Sequence, residues 1–325
     1  MEHSKIKRII DVNLNRATEG LRVVEEICRF ILEDKSLTLS VKKLRGDLSR
    51  LVGRQIGGRN ARQDVGNDLY TEKKSRRKEL NDIFIANIKR AQEAIRCLEE
   101  FSKLLDPAAG RRIKRIRFEV YELEKIIAPK VAKAVKLDFD LYVVTDPWKD
   151  HLATIRRAVR GGIKMIQLRD KSLSPGDYFR LAKQAVRLTK KAGAVFILND
   201  HWDQVNKVGA DGVHLGQEDL RTVSLSKVRK MIGSDKLIGL STHSFQEALK
   251  GAKQGVDYIS VGPIFSTPSK PHNRPVGLKL LRRVLKKVKI PVVAIGGIDA
   301  SNLANVKQAG GQRYAVIRAV DSLIQ

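Results

Sequence analysis

Five charged side chains follow short apolar segments in the second half of the chain, and their types are those that bind phosphates and metal ions. Arg169 and Lys171 end one segment, Lys270 follows another, and Asp200 and Asp219 close two more. Paired carboxylates suit Mg²⁺, which takes one or two of them and completes its octahedron with waters and substrate phosphates. Three cations around such an ion predict a diphosphate pocket. Taken alone, each aspartate could instead cap a following helix.

A second anion site is expected across the same mouth. Gly296 and Gly297 end one apolar segment, where glycine lets backbone N–H groups approach an anion closely. The chain after Ile317 ends the last segment, and Thr267 and Ser269 offer hydroxyl donors. Two phosphate sites facing each other imply two phosphorylated substrates.

Two histidines, His214 and His243, also end apolar segments. A zinc site would need a third ligand at suitable spacing, and the sequence shows no evident one. Both are therefore interpreted as polar residues around the site. No Ser-His-Asp or Cys-His combination for covalent catalysis is recognisable.

The scaffold must bring the ends of these segments together. Eight apolar segments alternate with helical patterns in fewer than two hundred residues. This alternation predicts an α/β fold, a closed (β/α)₈ TIM barrel with its site at the carboxyl ends of the strands. An open doubly wound sheet is the alternative, and it would also bind ligand at the strand ends. The segments are DLYVVTD (140–146), IKMIQLRDK (163–171), AVFILND (194–200), GVHLGQED (212–219), KLIGLSTH (236–243), YISVGPIFSTPSK (258–270), PVVAIGGI (291–298) and YAVIRAV (314–320).

The amino-terminal third has a different period, with apolar residues at alternating steps of three and four. This spacing predicts amphipathic helices that together bury a bundle core. The stripes run over residues 14–31, 37–51, 84–105 and 113–127. We therefore expect an all-α domain over 1–128, a linker over 129–138 and the barrel over 139–325. Residues 130–136, just after Pro129, could instead extend the last helix.

Two of these helices look like copies at an offset of 74 residues, NRATEGLRVVEE (15–26) and KRAQEAIRCLEE (89–100). Ion pairing on solvated helix faces explains their shared charges. The alternative is a pseudo-symmetric pocket of converging Arg and Glu beside Asp11, Asn13 and Asn15. The loop over 53–68 is rich in glycine and arginine but matches neither a P-loop nor a kinase glycine loop. The shared residues are Arg16/Arg90, Ala17/Ala91, Glu19/Glu93, Arg22/Arg96, Glu25/Glu99 and Glu26/Glu100.

Charge and cysteine content narrow the class further. The net charge of +27 divides into +12 over 1–136 and +15 over 137–325, which argues against a nucleic-acid-binding tail and favours anionic metabolites. Cys28 and Cys97 fall in helical stripes, so we expect reduced core residues. No apolar run long enough for a membrane span occurs, and no signal-peptide core follows Met1–Lys7. We expect a cytoplasmic protein that acts on small molecules, with a homo-oligomer left open.

The motifs QLRDK, ND, GVHLGQED, STH, GPIFSTPSK and AIGGI resemble, in this order, those of thiamine-phosphate synthases over roughly 137–325. The resemblance implies a barrel that joins hydroxymethylpyrimidine diphosphate to thiazole phosphate with Mg²⁺. It implies that Asp200 and Asp219 hold the ion and that Arg169, Lys171 and Lys270 are catalytic. It also implies that the pyrimidine diphosphate is bound by Gln167, Leu168, Arg169, Asp170, Lys171, Asn199, Ser241 and Lys270, and the thiazole phosphate by Thr267, Pro268, Ser269, Gly297, Ile317 and Arg318.

Two positions depart from the pattern of that family. His201 replaces the acidic residue often seen after ND, and Arg318 stands where a small serine is common. The contact at 318 could thus use the side chain or the backbone.

The related thiazole tautomerases share the thiazole-phosphate end but need no metal–diphosphate pocket. A sensor or RNA-binding protein is the rival from another class, and it would require no paired carboxylates.

The first 125 or so residues resemble the helical ThiD2 family through DVNLNRATEGLRVVEE, DVG and ANIKRAQEAIRCLEE. That resemblance implies a second activity, the phosphorylation of hydroxymethylpyrimidine phosphate. The role of this domain could equally be structural, because its sequence contains no phosphate-binding loop.

Overall fold

A computed structural model describes residues 2–52, 77, 79–268 and 274–324. The chain divides into two compact units, Met1–Val135 and Lys136–Gln325. The segment expected as a linker is helical over most of its length, because the last helix of the first unit continues to Lys136 with Pro129 inside it. Proline at 129 removes the hydrogen bond to the carbonyl of Lys125, and that residue is exposed, so water can replace the bond.

The described part of the first unit contains the four expected helices. Their core includes Leu21, Leu48, Ile95 and Ile113, each almost fully buried. A five-residue π-helix, Ile27–Ile31, follows the first helix. The helices are α1 (Glu2–Glu26), α2 (Lys35–Val52), α3 (Leu80–Lys103) and α4 (Pro107–Lys136). The segment 53–68 lies outside the described residues.

Helices α1 and α3 pack against each other at Gly20. A Cβ atom at this position would lie 2.7 Å from the carbonyl oxygen of Asn87 and 3.3 Å from Cβ of Ala91. Only glycine allows this approach, so one copy of the repeat packs directly on the other.

Both cysteines are free, and burial raises the pKa of the Cys28 thiol to about 11, as expected of a packed core residue.

The repeat holds a buried glutamate at the same position of each copy. The Glu25 carboxylate lies 2.9 Å from Arg45 on α2, and the Glu99 carboxylate lies 2.8 Å from Arg117 on α4. The side chains of Glu25 and Glu99 are only 4% and 1% exposed. Each therefore joins its helix to the next one along the chain.

The remaining charges of the repeat fall into two groups. Arg22 pairs with Glu25 and Glu26 within α1, as ion pairing on helix faces predicts, and the same pairs recur at equivalent positions of α3. The second group is exposed and comprises Arg16, Glu19, Arg90 and Glu93.

None of the described helices combines the length and the apolar character that a membrane span requires.

The second unit is a closed barrel of eight parallel strands. Each strand pairs with the next, and the first pairs with the last, so that Tyr142 lies beside Ala315. Closure confirms the barrel and excludes the open sheet. The strands are β1 (Leu141–Val144), β2 (Met165–Leu168), β3 (Val195–Asn199), β4 (Gly212–Leu215), β5 (Leu237–Thr242), β6 (Tyr258–Val261), β7 (Val292–Ile295) and β8 (Arg313–Val316).

Helices cover the outside of this barrel. Side chains alternate along each strand, so that Val143 packs under the helices while Tyr142 and Val144 fill the barrel interior. The helices are α5 (His151–Arg160), α6 (Pro175–Lys191), α7 (Val205–Val208), α8 (Leu225–Ile232), α9 (Phe245–Lys253), α10 (Gly277–Lys287), α11 (Leu303–Gln308) and α12 (Val320–Leu323).

Candidate active site

A cavity opens at the carboxyl ends of the strands, where the sequence predicts the site. It encloses about 890 Å³ of space between protein atoms, part of it open to solvent. The predicted site residues that line it are Gln167, Arg169, Lys171, Asn199, Asp200, Ser241, Thr267 and Ile317.

Lys171 lies between two carboxylates at this mouth. Its ammonium nitrogen is 3.1 Å from Asp200 and 2.7 Å from Glu218. Burial alone would lower the pKa of Lys171, but the bond to Glu218 and the charge of Asp200 outweigh it and raise that pKa. Sequence reasoning missed Glu218, although it stands between Gln217 and Asp219 in the GQED motif.

Asp200 leaves β3 in a conformation that few side chains adopt. Its φ of 63° lies in the left-handed region, which aspartate tolerates better than most non-glycine residues. Its backbone N–H still donates to the carbonyl of His214, at 2.9 Å, so the turn is fixed against β4. Local strain of this kind is concentrated at functional sites.

Asp219 approaches Asp200 from the loop after β4. Its carboxylate accepts a 2.6 Å hydrogen bond from the backbone N–H of Gly216. Burial, together with the neighbouring charge of Asp200, raises the pKa of Asp219 to about 6. Two partly desolvated carboxylates therefore face each other and would gain from a cation between them.

Helix capping does not account for these two aspartates. In the loop after β3 the short helix Trp202–Gln204 is capped by His201 without a side-chain bond. In the loop after β4, Asp219 is the first residue of the short helix Asp219–Arg221, whose cap is Glu218 without a side-chain bond, and the cap of the later α8 is Ser224. The capping alternative therefore fails for both.

Two predicted site residues of the QLRDK motif turn away from the mouth. Leu168 is fully buried beneath the helices. The carboxylate of Asp170 lies 2.9 Å from His151 Nε2 and accepts from the backbone N–H and hydroxyl of Ser172. Alternation along the strand explains this, because Arg169 and Lys171 take the inward positions. Any ligand contact by Leu168 or Asp170 would have to use the backbone.

The opposite side of the mouth is formed by the loops after β6 and β7. Gly296 and Gly297 both have positive φ values, of 101° and 65°. A Cβ atom at Gly297 would lie 2.5 Å from the carbonyl oxygen of Ser266, so close packing of the two loops requires glycine there. Thr267 lines the cavity and Pro268 is exposed. Ser269 and Lys270 lie outside the described residues.

Arg318 is held by an acidic partner from another strand end. Its Nε lies 3.1 Å from Asp146, whose side chain is only 6% exposed. The other oxygen of Asp146 accepts from the backbone N–H of Trp148.

The two histidines predicted around the site both line the mouth, and His243 Nδ1 bonds to the carbonyl of Gly262. The ring of His201 packs on Tyr178.

The floor of the cavity is a chain of hydrogen-bonded side chains. Gln167 Nε2 lies 2.6 Å from the hydroxyl of Tyr142, which is 3.0 Å from that of Tyr258. Tyr258 is in turn 3.1 Å from His214 Nδ1, and His214 Nε2 is 2.9 Å from Ser241 Oγ. Sequence reasoning missed both tyrosines, because an aromatic residue inside a strand usually indicates packing in the hydrophobic core.

A closed parallel barrel with charged groups at the carboxyl ends of its strands is typical of enzymes that act on small molecules. Residues 141–320 match the thiamine monophosphate synthase family, and residues 8–126 match the ThiD2 family. The chain belongs to the thiamine-phosphate synthase family, and it is a transferase of thiamine biosynthesis with a ThiD2 domain at its amino terminus.

Relatives and a solved structure agree with this assignment. The thiamine-phosphate synthase of Synechocystis sp. is 40% identical over 317 residues, which cover 97% of this chain and 91% of the relative. That of Gloeobacter violaceus is 38% identical over 321 residues, covering 98% and 93%. The thiamine phosphate pyrophosphorylase of Pyrococcus furiosus matches with a TM-score of 0.52 and 34% identity, over 58% of this chain and 95% of that chain.

Proposed function

We propose that the barrel joins hydroxymethylpyrimidine diphosphate to thiazole phosphate and releases thiamine phosphate and pyrophosphate. The observation that carries this proposal is the cluster of Lys171, Asp200 and Asp219 on one side of the mouth. Cations with paired carboxylates suit a diphosphate and its metal ion. The opposite side, around Gly297, suits the phosphate of a second substrate.

The diphosphate end is assigned to Arg169 and Lys171, which face the cavity from the end of β2. Lys270 is assigned here too, as the family resemblance implies. Asp200 and Asp219 fit Mg²⁺, since two facing carboxylates leave the remaining positions of its octahedron to water and phosphate oxygens. Among the described residues no group of three acidic, histidine or cysteine side chains suited to a metal occurs, so water and phosphate oxygens would have to supply the remaining ligands. Mg²⁺ would neutralise the charge that develops on the leaving diphosphate.

The reaction needs no nucleophile from the protein. The bond between the pyrimidine's methylene carbon and the diphosphate oxygen breaks, and its electron pair leaves with the diphosphate. The resulting cation is stabilised by the aminopyrimidine ring, and the thiazole nitrogen donates the pair that forms the new C–N bond. Lys171 and Arg169 stabilise the departing charge, while Gln167, Asn199 and Ser241 orient the pyrimidine.

The thiazole phosphate is assigned to the side of the mouth formed after β6, β7 and β8. Thr267, Ser269 and the backbone around Gly297 and Ile317 would donate to it. Arg318 would add a guanidinium whose Nε is already fixed by Asp146. In this proposal the side chain of Arg318, rather than its backbone, binds the phosphate, and Asp146 orients it.

A thiazole tautomerase is the rival within the same fold. It needs the thiazole-phosphate side but no diphosphate pocket. Incubating the protein with each substrate alone and with both, in the presence of Mg²⁺, separates the two. Thiamine phosphate formed only from the pair supports the synthase, and isomerisation of a thiazole substrate alone would contradict it.

For the helical unit we propose hydroxymethylpyrimidine-phosphate kinase activity, on the ThiD2 match. One buried polar group there makes Asp11 a residue to test: it is 2% exposed, and its Oδ2 has no hydrogen-bond partner among the described residues. The test is phosphate transfer from ATP to hydroxymethylpyrimidine phosphate by the full chain. Loss of transfer in Asp11→Asn, Arg16→Ala and Glu93→Ala variants with an intact synthase activity would support it. If the wild-type protein transferred no phosphate, the kinase proposal would fail and the role of the helical unit would be structural.

A further inference from the structure

A buried histidine in the first turn of α5 contacts the loop that follows β2. His151 is 9% exposed and shares the inward face of α5 with Ile155 and Ala158, which pack in the barrel core. The side chain of Asp150 caps this helix and accepts from the backbone N–H of Ala153 at 3.0 Å. The backbone that carries His151 is therefore fixed by the cap and by the core.

The partner of this histidine is Asp170, whose two carboxylate oxygens contact different parts of the barrel. Oδ1 accepts from the backbone N–H of Ser172 at 2.8 Å and from its hydroxyl at 2.6 Å, which closes the turn after β2. Oδ2 lies 2.9 Å from His151 Nε2. The side chain of Asp170 is only 5% exposed, and it joins its own turn to α5.

The bond between His151 and Asp170 has a direction. Burial alone would raise the pKa of Asp170, but its bonds to Ser172 and His151 outweigh burial and lower that pKa. A carboxylate only accepts, so His151 Nε2 carries the proton of this bond. Nδ1 of the same ring is buried and has no hydrogen-bond partner among the described residues. The polar role of the ring is therefore the bond to Asp170.

The residues on either side of Asp170 face the mouth. Arg169 and Lys171 both line the cavity, because side chains alternate along the strand end. The backbone N–H of Arg169 donates at 3.0 Å to the hydroxyl of Thr145, a fully buried residue directly after β1. A shift of Asp170 would therefore move both cations, because it is the residue that connects them.

We propose that His151 is a positioning residue for the diphosphate side of the mouth, which holds Asp170 so that Arg169 and Lys171 converge on the leaving group. The inference rests on the proposed function and adds a helix residue that does not line the cavity. Without the donor from α5, the buried Oδ2 of Asp170 would have to turn toward water, and the turn would lose its bond to the helix. A displacement of about 1 Å can reduce a rate by about 10²-fold even when the altered residue lies far from the chemistry.

Two substitutions of similar size separate the hydrogen bond from the space that the ring fills. His151→Leu fills buried volume but supplies no donor, whereas His151→Gln supplies an amide N–H that can donate to Asp170. Amide hydrogen exchange at residues 169–172 measures the turn directly. The amides of Arg169 and Ser172 are both hydrogen-bonded. We expect them to exchange at least ~tenfold faster in His151→Leu and as slowly as in the wild type in His151→Gln.

Binding of inorganic pyrophosphate measures the consequence for the site. Its dissociation constant in the presence of Mg²⁺ is determined by calorimetry with the full chain. We expect His151→Leu to bind at least ~tenfold more weakly, the scale of losing a hydrogen bond to a charged group, and His151→Gln to bind as the wild type does. The KM for thiazole phosphate should keep its wild-type value in both variants, since its assigned site lies on the opposite side of the mouth.

Asp150→Ala is the matched control. It removes the cap of α5 but no bond to Asp170, so the thermal midpoint should fall while exchange at the turn and pyrophosphate binding stay unchanged. Equal effects of Asp150→Ala and His151→Leu on the turn would show that only the stability of α5 matters, and they would overturn the inference. Wild-type exchange and binding in a folded His151→Leu protein would overturn it as well.

The two measurements separate this inference from the function on which it rests. If the wild type bound no pyrophosphate, the proposed function would fail, and exchange at the turn would still decide whether His151 holds it. If His151→Leu did not fold, two-bond ¹H–¹⁵N correlations of ¹⁵N-histidine in the wild type would decide, with His151→Gln assigning the signal. We expect a proton on Nε2 of His151, and an Nε2 without a proton would overturn the proposed bond.

Discussion

The ammonium nitrogen of Lys171 lies 3.1 Å from the carboxylate of Asp200, so the ends of β2 and β3 bring a cation and an anion together at the mouth. Replacing Lys171 by alanine removes the cation assigned to the diphosphate. We expect kcat/KM for the pyrimidine diphosphate to fall by about 10²-fold, the scale of losing one electrostatic stabiliser of developing charge.

The control for this variant is Lys183→Ala, an exposed lysine on α6. It lowers the net charge equally and should leave kcat/KM unchanged. Equal losses in the two variants would show that only overall charge matters, and the placement of Lys171 in the diphosphate site would be wrong.

Asp219→Asn should separate metal binding from stability. The carboxylate is partly buried beside Asp200, so the neutral side chain should stabilise the metal-free barrel by about 1 kcal/mol after allowance for solvent screening, or about 2–4 °C. Activity should fall by at least ~10²-fold. Calorimetric melting with and without Mg²⁺ measures both effects: the ion should raise the midpoint of the wild type and leave that of the variant unchanged. A variant that Mg²⁺ stabilises as much as it stabilises the wild type would refute the metal assignment.

Gly239→Ala should disrupt the barrel interior, because the new Cβ would overlap the side chains of Tyr258 and His214. Overpacking of this kind costs about 1–3 kcal/mol. Gly176→Ala in α6 is the matched control, with its nearest neighbour 4.0 Å away, and it should stabilise the unit by about 0.5 kcal/mol. Thermal denaturation compares the two variants. Equal midpoints would show that positions 239 and 176 tolerate a methyl group equally well, which would contradict the predicted overlap.

Glu99 gives the helical unit a pH dependence. Burial alone would raise the pKa of Glu99, but its bonds to Arg117 and Lys103 outweigh burial and hold that pKa below its usual value. The stability from this pair is therefore fully present above pH ~4.5 and is lost as the pH falls through the lowered pKa. Glu99→Gln should remove this dependence, and Glu99→Ala should cost about 3 kcal/mol at neutral pH, because Arg117 loses its buried partner.

Hydrogen exchange of peptides from α3, measured between pH 7 and 3 with correction for intrinsic rates, follows this effect. Glu93→Ala, an exposed glutamate on the same helix, is the control and should behave as wild type. Equal protection in the Glu99 and Glu93 variants would show that the buried pair contributes nothing to the unit.

The barrel should fold without the helical unit. The two compact units divide after Val135, and the solved pyrophosphorylase of Pyrococcus furiosus matches 58% of this chain while 95% of its own length is covered. A fragment over 136–325 should therefore show cooperative unfolding and keep synthase activity. A folded fragment without activity would mean that the helical unit completes the site, and an unfolded one would refute independence.

Much of the architecture was predictable from periodicity. Alternating strands and helices indicated the barrel, and steps of three and four indicated the bundle, because burial imposes these periods on any such element. The helix through Pro129 was left between two alternatives, since an interior proline removes one hydrogen bond and crowds the preceding turn, and the sequence alone does not show whether the helix continues through it.

The site was predictable in part, for a geometric reason. Residues at strand ends must converge in a barrel, so Lys171, Asp200 and Ser241 could be placed at the mouth from their positions alone. Strand alternation was applied to Arg169 and Lys171 but not to the Asp170 between them, whose side chain turns outward. The partners Glu218 and Tyr258 could not be found, because long-range pairings leave no local pattern in the sequence.

Single-turnover measurement of both products tests the central assignment most directly. With enzyme in excess over hydroxymethylpyrimidine diphosphate and saturating thiazole phosphate, we expect pyrophosphate and thiamine phosphate to form in equal amounts, with Mg²⁺ required and the rate reduced at least ~10²-fold in Asp200→Asn and Asp219→Asn. Absence of thiamine phosphate, or wild-type rates in both variants or in chelator, would contradict the account.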